Sequence, residues 1–435
     1  MAFPFPVLFI AVSLLSAFPP SCESYGHGSC IESERTALLS IKAGLFQNNN
    51  NNNNNNISWL SSWTGRDCCQ WQGVACNQES GHVIKLNLRN PYLQYPYPDD
   101  YYFNMPPNDL RWLSGFTALR YLDLSYVNLS KVSGWLHDVN MLPSLRVLKL
   151  SDAQLQGGIH ALTPAHLNFT ALRVLDLTYN NFSATFPQWM FNLTSLEQLG
   201  LSSNGFHGSI PENIGRLRNL QYLDLSRNVI SGEIPEAFGN LTLLQYFDAS
   251  WGNTFSGKLL ETTANLVHLQ VLYLTRNGIV GQLPESIGKL SSLMELDLSE
   301  NNISGTLPKT MGNLCNLQYL DLKRNFISGP IDDLLNGLSE CFENKESNGL
   351  SELHLGENRL NGTVPESLSR LYKMEWLDLR ANSLTGTLTE LHFANLTDLQ
   401  IMDFSYNMLQ LNVTEDWVPP FNARGHERFN SDVFS

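Results

Sequence analysis

The chain has 435 residues, with 27 Lys and Arg against 41 Asp and Glu, and a formal net charge of −14. This length exceeds the usual size of one globular domain. The negative balance, with no basic stripe to offset it, excludes nucleic acid as the partner. At the N-terminus, Val7 to Phe18 is an apolar run too short to span a bilayer, with small residues following at Ser21 and Ser24. Residues 1–24 therefore read as a secretory signal, although no Lys or Arg precedes the run. Cleavage near Ser24 would remove Cys22 and leave Cys30, Cys68, Cys69, Cys76, Cys315 and Cys341. An even cysteine set suits disulfides in an oxidising compartment.

Residues 25–80 form a separate unit. Glu34, Arg35, Ala37, Leu38, Leu39, Ile41 and Lys42 fit one amphipathic helix with Ser33 as N-cap. Asn48 to Asn56 is an unbroken asparagine tract with no apolar face, expected to be a disordered loop. Asp67-Cys-Cys-Gln-Trp71 and Gly73-Val-Ala-Cys76 follow. A helix with paired cysteines would cover the open end of a stacked core, as a terminal repeat must.

Residues 81–412 repeat. Leu196, Leu199, Leu201, Asn204, Gly208, Ile210 and Pro211 return 24 residues later as Leu220, Leu223, Leu225, Asn228, Gly232, Ile234 and Pro235. A fixed period with L-x-x-L-x-L-x-x-N is the signature of a leucine-rich solenoid. Leu199 and Leu201, two apart on a strand, share the inward face. The asparagine bonds the backbone of the turn, the glycine relaxes a second bend and the proline opens the convex segment. About thirteen strands are expected, the first near Val83 and the last near Leu399. The fold expected is an α/β leucine-rich-repeat solenoid, a right-handed superhelix with a parallel β-sheet on the concave face and a disulfide-bonded helical N-terminal cap. One repeat, 317–349, is long and is bracketed by Cys315 and Cys341, whose disulfide would close the insertion. A further insertion, Tyr92 to Pro107, is rich in tyrosine and proline and is read as packing over the convex side, the alternative being that it presents its aromatics to a partner.

Ten N-x-S/T sequons, at Asn56, Asn128, Asn168, Asn181, Asn192, Asn240, Asn302, Asn361, Asn395 and Asn412, indicate a glycoprotein. Asn192, Asn240 and Asn395 share the frame N-L-T just before a strand, which places them at one edge of the solenoid.

The order Glu34-Arg35-x-Ala-Leu-Leu, Ser62-Trp63, Asp67-Cys-Cys-x-Trp71, Gly73-Val74 and Cys76 resembles the N-terminal cap of plant extracellular leucine-rich-repeat proteins. The L-x-G-x-I-P half of each repeat is similar to their plant-specific type. Asn313-Leu-Cys315-Asn-Leu, with Cys341 downstream, resembles the cell-surface receptor-like proteins. This likeness spans about residues 30–420. It implies pairing of Cys30 with Cys68 and of Cys69 with Cys76. It also implies an immune or developmental receptor with one membrane helix and no kinase, signalling through co-receptor kinases.

Such proteins continue from Trp417-x-Pro-Pro-Phe421 into more repeats, a capping cysteine pair and a membrane helix. Here residues 413–435 read as an irregular tail, and the last layer, near Phe404, is expected to lack a cap. That pattern fits a natural short product or a truncated gene model.

Function is expected on the exposed strand face. Aspartates between the paired leucines, among them Asp176, Asp224, Asp248 and Asp297, read as consensus residues satisfied by neighbouring serines rather than as a ligand ladder. Departures from consensus nominate a binding patch. Aromatic and arginine side chains are the usual interface anchors. Tyr222, Tyr246, Trp251 and Tyr273, with Arg227 and Arg276, are expected to be neighbours, and Tyr319, Arg324 and Trp376 extend the face. The ligand expected is a peptide, glycan or protein. His354 reads as a bland surface pair with Asp378. No catalytic motif occurs, so a non-enzyme with no cofactor or metal is expected. The rival reading is a secreted protein resembling the polygalacturonase inhibitors, or a soluble decoy.

Overall fold

The computed structural model describes residues 29–47, 58–89, 103–104, 109–343 and 349–421. The signal run with Cys22, the asparagine tract with the Asn56 sequon, most of the tyrosine- and proline-rich insertion and residues 422–435 lie outside them.

A fourteen-stranded sheet forms one wall. Its strands are β1 (Val74–Cys76), β2 (Val83–Asn87), β3 (Tyr121–Asp123), β4 (Val147–Lys149), β5 (Val174–Asp176), β6 (Gln198–Gly200) and β7 (Tyr222–Asp224). They continue as β8 (Tyr246–Asp248), β9 (Val271–Tyr273), β10 (Glu295–Asp297), β11 (Tyr319–Asp321), β12 (Glu352–His354), β13 (Trp376–Asp378) and β14 (Ile401–Asp403). Only the β1–β2 pair is antiparallel; every later strand pairs parallel to the one before it. The middle residue of each strand points inward. Leu199, Leu223, Phe247, Leu272 and Leu296 thus lie side by side in one buried row. One core cluster runs from Cys30 to Phe421.

The repeat asparagine supplies what each turn would otherwise lack. The Nδ2 of Asn228 donates to the carbonyls of Leu201, Leu225 and Ser226 at 3.0, 2.9 and 3.1 Å. Its Oδ1 accepts from the amides of Phe206 and Asn204 at 2.9 and 3.2 Å. One buried side chain therefore satisfies backbone groups in two successive repeats. Past the asparagine, a second row of short parallel strands forms, as where Val229–Glu233 pairs with His207–Gly208 and Thr254–Ser256. Gly208 sits there at φ 79°, in the region that favours glycine. The convex side carries 3₁₀ turns such as Glu212–Arg216, entered through Pro211.

The long repeat differs. In place of a 3₁₀ turn it holds a twelve-residue α-helix, Asp332–Glu343, whose Leu334, Leu335 and Leu338 are buried. The Cys315–Cys341 disulfide pins this helix to the turn before it.

At the N-terminal end the helix Glu32–Gln47 covers the core. Ser33 lies inside its first turn, so the N-cap expected there is corrected. The anchoring group is Glu34, only 1% exposed, whose carboxylate accepts from the Val83 amide at 2.8 Å and bonds His82 Nδ1 at 3.0 Å. Cys30–Cys68 and Cys69–Cys76 are bonded, and Trp63 stacks on Trp71 at 5.4 Å. At the other end Met402, the inward residue of β14, is only partly buried, unlike its counterparts in the earlier parallel strands, as expected for a last layer. Trp417 and Phe421 pack on Phe393 at 5.8 and 6.4 Å, beside Phe404. Among the described residues no helix is long and apolar enough to cross a membrane.

Candidate functional site

The outward residues of the strands build the floor of the concave face. In eight of the strands the third position carries an aspartate, and the residue two positions on caps it. Asp248 Oδ1 accepts from the Ser250 amide and hydroxyl at 2.8 and 2.6 Å. Asp224 with Ser226, Asp297 with Ser299 and Asp403 with Ser405 repeat the arrangement. These carboxylates are capped by hydroxyls rather than by cations, and burial raises the proton affinity of Asp224, Asp248 and Asp297. Asp176, Asp224 and Asp297 all shift upward, chiefly from desolvation. Asp248 is pushed up to about 6 by burial and by the adjacent Asp224.

Above the aspartates runs an aromatic row. Tyr222 and Tyr246 stack with ring centroids 4.5 Å apart and an interplanar angle of 10°. Tyr273 meets Tyr246 edge-on at 6.3 Å, and its hydroxyl donates to the Glu295 carboxylate. The parallel register brings the rings into contact, because Tyr222 faces Tyr246 and Asp248 faces Tyr273. A second aromatic group lies further along: Tyr319, His354 and Trp376, with His354 at 5.7 Å from the first and 4.9 Å from the second. The expected surface pairing of His354 with Asp378 is corrected. His354 is buried, and its Nε2 bonds Glu352 at 3.1 Å.

The rim is formed by the residue just before the ladder asparagine, or, at Trp251, by the residue two before it because Gly252 intervenes. Arg227, Trp251, Arg276, Glu300, Arg324 and Glu357 all hold φ between 54° and 60°. That left-handed turn aims each amide at the next repeat, as from Arg276 to the Ser299 carbonyl at 3.0 Å. The backbone bond offsets the conformational cost, which is about 1–2 kcal/mol. The side chains then interlock. The Arg276 guanidinium lies 4.1 Å over the Trp251 ring and pairs with Glu300 at 2.7 Å. Arg324 bridges Glu300 and Glu357 at 3.4 and 3.0 Å, and Arg380 reaches Glu357 at 2.9 Å. Burial favours the neutral form of Glu357, but the Arg324 and Arg380 guanidiniums outweigh it and hold the carboxyl below its ordinary range.

The predicted patch therefore divides. Tyr222, Tyr246 and Tyr273 come together on the floor. Trp251 belongs to the rim, paired with Arg276 rather than with the tyrosines. Arg276 and Arg324 are committed to partners within the chain; Arg227 is exposed and makes no ion pair among the described residues. Sequence reasoning missed Asn253 as a ladder residue. Its Oδ1 accepts from the Ile230 amide and its Nδ2 donates to Leu225 and Ala249. The signal was obscured because Phe247 and Ala249 replace leucines and Gly252 adds one residue before the asparagine.

Sequons flank this face without entering it. Asn192 and Asn240 end 3₁₀ turns and Asn395 follows a short helix, all on the convex edge. Asn302 and Asn361 lie on the second row of strands. None of the described sequons is on a concave strand.

The family model for the leucine-rich repeat region matches residues 154–259 and 251–433, and that for the leucine rich repeat N-terminal domain matches 31–77. Receptor like protein 21 of Arabidopsis thaliana is 34% identical over 169 residues, covering 38% of this chain and 16% of that protein. Receptor-like protein EIX1 of Solanum lycopersicum is 29% identical over 257 residues, covering 39% of this chain and 24% of its own length. The chain thus spans less than a quarter of either relative. Among solved structures, the ectodomain of the Arabidopsis receptor kinase HAESA with an IDA peptide hormone ligand aligns at TM-score 0.70 and 30% identity, over 87% of this chain and 57% of that one. The same receptor with IDA and the co-receptor SERK1 aligns at TM-score 0.70 over 87% and 58%.

Proposed function

The chain belongs to the leucine-rich-repeat family, and from that premise we propose that it is ligand-recognition ectodomain of a plant cell-surface receptor-like protein. It binds an extracellular ligand on its concave face and acts in defence or development through a partner kinase. The reading rests on one observation: the ladder Tyr222–Tyr246–Tyr273 is held in register on a concave floor that no described sequon enters. Rigid tyrosines offer a large contact area with little entropy left to lose. The HAESA complexes, with a peptide hormone and a co-receptor, favour a peptide ligand and a co-receptor kinase here. Passage through the secretory pathway, with glycans on the flanking sequons, belongs to the same reading.

The test uses the secreted chain, immobilised and challenged with a synthetic library of plant extracellular peptides and with chitin and pectin oligomers. A binder is expected among the peptides, with affinity reduced at least tenfold by the Tyr222→Ala/Tyr246→Ala double substitution. A binder indifferent to that substitution would place recognition elsewhere. Inhibition of a pectinase panel in place of peptide binding would sink the receptor reading.

A further inference from the structure

A groove of about 590 Å³ opens on the convex edge, where three successive repeats meet. Its volume is that of small-molecule sites, about 300–1,000 Å³. One wall is Glu212, Arg216 and Arg218 of the middle repeat, all exposed. Another is Asn219, fixed by donating from Nδ2 to the Thr194 carbonyl at 2.8 Å. Glu212 is held in turn by the Ala237 amide, which donates to its carboxylate at 3.2 Å. The far side is Asn240, the first residue of the sequon Asn240-Leu241-Thr242.

Asn240 lies against Gly215. A Cβ built on that glycine would meet the Ala237 carbonyl at 2.6 Å and Asn240 Nδ2 at 2.9 Å, so the amide lies close against the bare α-carbon. The atom that would carry a glycan is thus at the groove itself. Arg216 and Arg218 make no ion pair among the described residues, and their guanidiniums present N–H donors in a fixed plane. Glu212 supplies the acceptor. Donors and acceptors mixed around an open, polar groove match the hydroxyl and acetamido groups of an amino sugar.

We propose that this groove seats the N-acetylglucosamine core of an N-glycan attached to Asn240, so that the sugar lies along the convex edge of its own repeats instead of projecting freely. This rests on the secretory route given above. The bound core would bridge the repeats that carry β6, β7 and β8.

The experiment is site-resolved deglycosylation of the native chain. The protein is secreted from cells that leave glycans at the oligomannose stage and is treated with endoglycosidase H without denaturation. Release at each sequon is followed by peptide mass spectrometry, with Asn302 and Asn395, which do not line the groove, as internal standards. Release from Asn240 is expected at least tenfold more slowly than from either standard, and the Arg216→Ala/Arg218→Ala variant should abolish the difference. Those arginines are exposed, so the variant retains its fold, checked by unchanged release at the standards. Equal rates at the three sites, an unoccupied Asn240 beside occupied standards, or protection that survives the double substitution each overturn the proposal. If none of the sequons is occupied, the secretory reading falls, and the proposal with it.

Discussion

The floor and the rim of the concave face come from the same short stretch of each repeat, yet they hold their charges in opposite ways. On the floor, each aspartate is satisfied inside its own repeat by the residue two positions on, a serine or threonine in most strands but Lys323 at Asp321 and Arg380 at Asp378. On the rim, Arg276, Glu300, Arg324 and Glu357 form their ion pairs with residues of neighbouring repeats, and Arg380 pairs both with Glu357 of the repeat before and with Asp378 of its own. The floor is desolvated and is a property of the single repeat; the rim is wet and is a property of the stack. Substitution on the floor should therefore act locally and strongly, and on the rim weakly but over several repeats.

The largest effect should come from the residue beneath both. Asn228→Ala strands three carbonyls and two amides in a buried position and is expected to cost about 3–5 kcal/mol. Urea denaturation, with hydrogen exchange at Phe206 and Leu225, measures it; a loss spread evenly over all repeats would contradict the local accounting.

Next is the pH response of the floor. Asp248 titrates in the folded chain at about 6, above its ordinary value of 3.8, so protonation favours the folded form. The stability this contributes is fully present below the ordinary value and is lost as pH rises through about 6. Between pH 5 and 7.5 the chain should lose on the order of 2 kcal/mol from this column, and Asp248→Asn should flatten the slope. A slope unchanged in that variant would show that the floor is not its source.

Tyr246→Ala removes the central ring of the aromatic row and is expected to destabilise by about 1–2 kcal/mol, while Tyr246→Phe stays within about 0.5 kcal/mol because stacking rather than the hydroxyl holds the ring. The two variants measured side by side separate the contributions. The smallest effect belongs to Glu300→Gln, at most about 0.5–1 kcal/mol. A double-mutant cycle with Arg276→Ala should give a coupling that disappears in 1 M salt. A coupling that survives salt would make the rim resemble the floor.

This contrast also explains what could be read from the chain alone. Strand positions, the ladder asparagines and the hydroxyl-capped aspartates depend on spacings of two to five residues, which one repeat displays. The partnership of Arg276 with Trp251 and Glu300 depends on residues 24 or 25 apart, matched only once the register is fixed. His354 looked exposed because its strand position faces outward. Its burial comes from Tyr319 and Trp376 on the two flanking strands. The helix Asp332–Glu343 was legible in principle, through Ile331, Leu334, Leu335, Leu338 and Cys341 at helical spacing. The dense acidic and amide residues around them masked it.

Gly252 carries a wider consequence. It is the extra residue that makes the interval from Asp248 to Tyr273 one longer than that from Asp224 to Asp248, yet both pairs remain opposite each other. At φ 84°, with the Asn228 carbonyl 2.7 Å from where a Cβ would sit, it takes up the added length as a kink between Trp251 and Asn253. One added residue at this turn is thus absorbed without disturbing the strands on either side. The joint before the asparagine therefore takes one residue more and still leaves the stack in register, which reshapes the lip of the concave face while the scaffold beneath it stays the same.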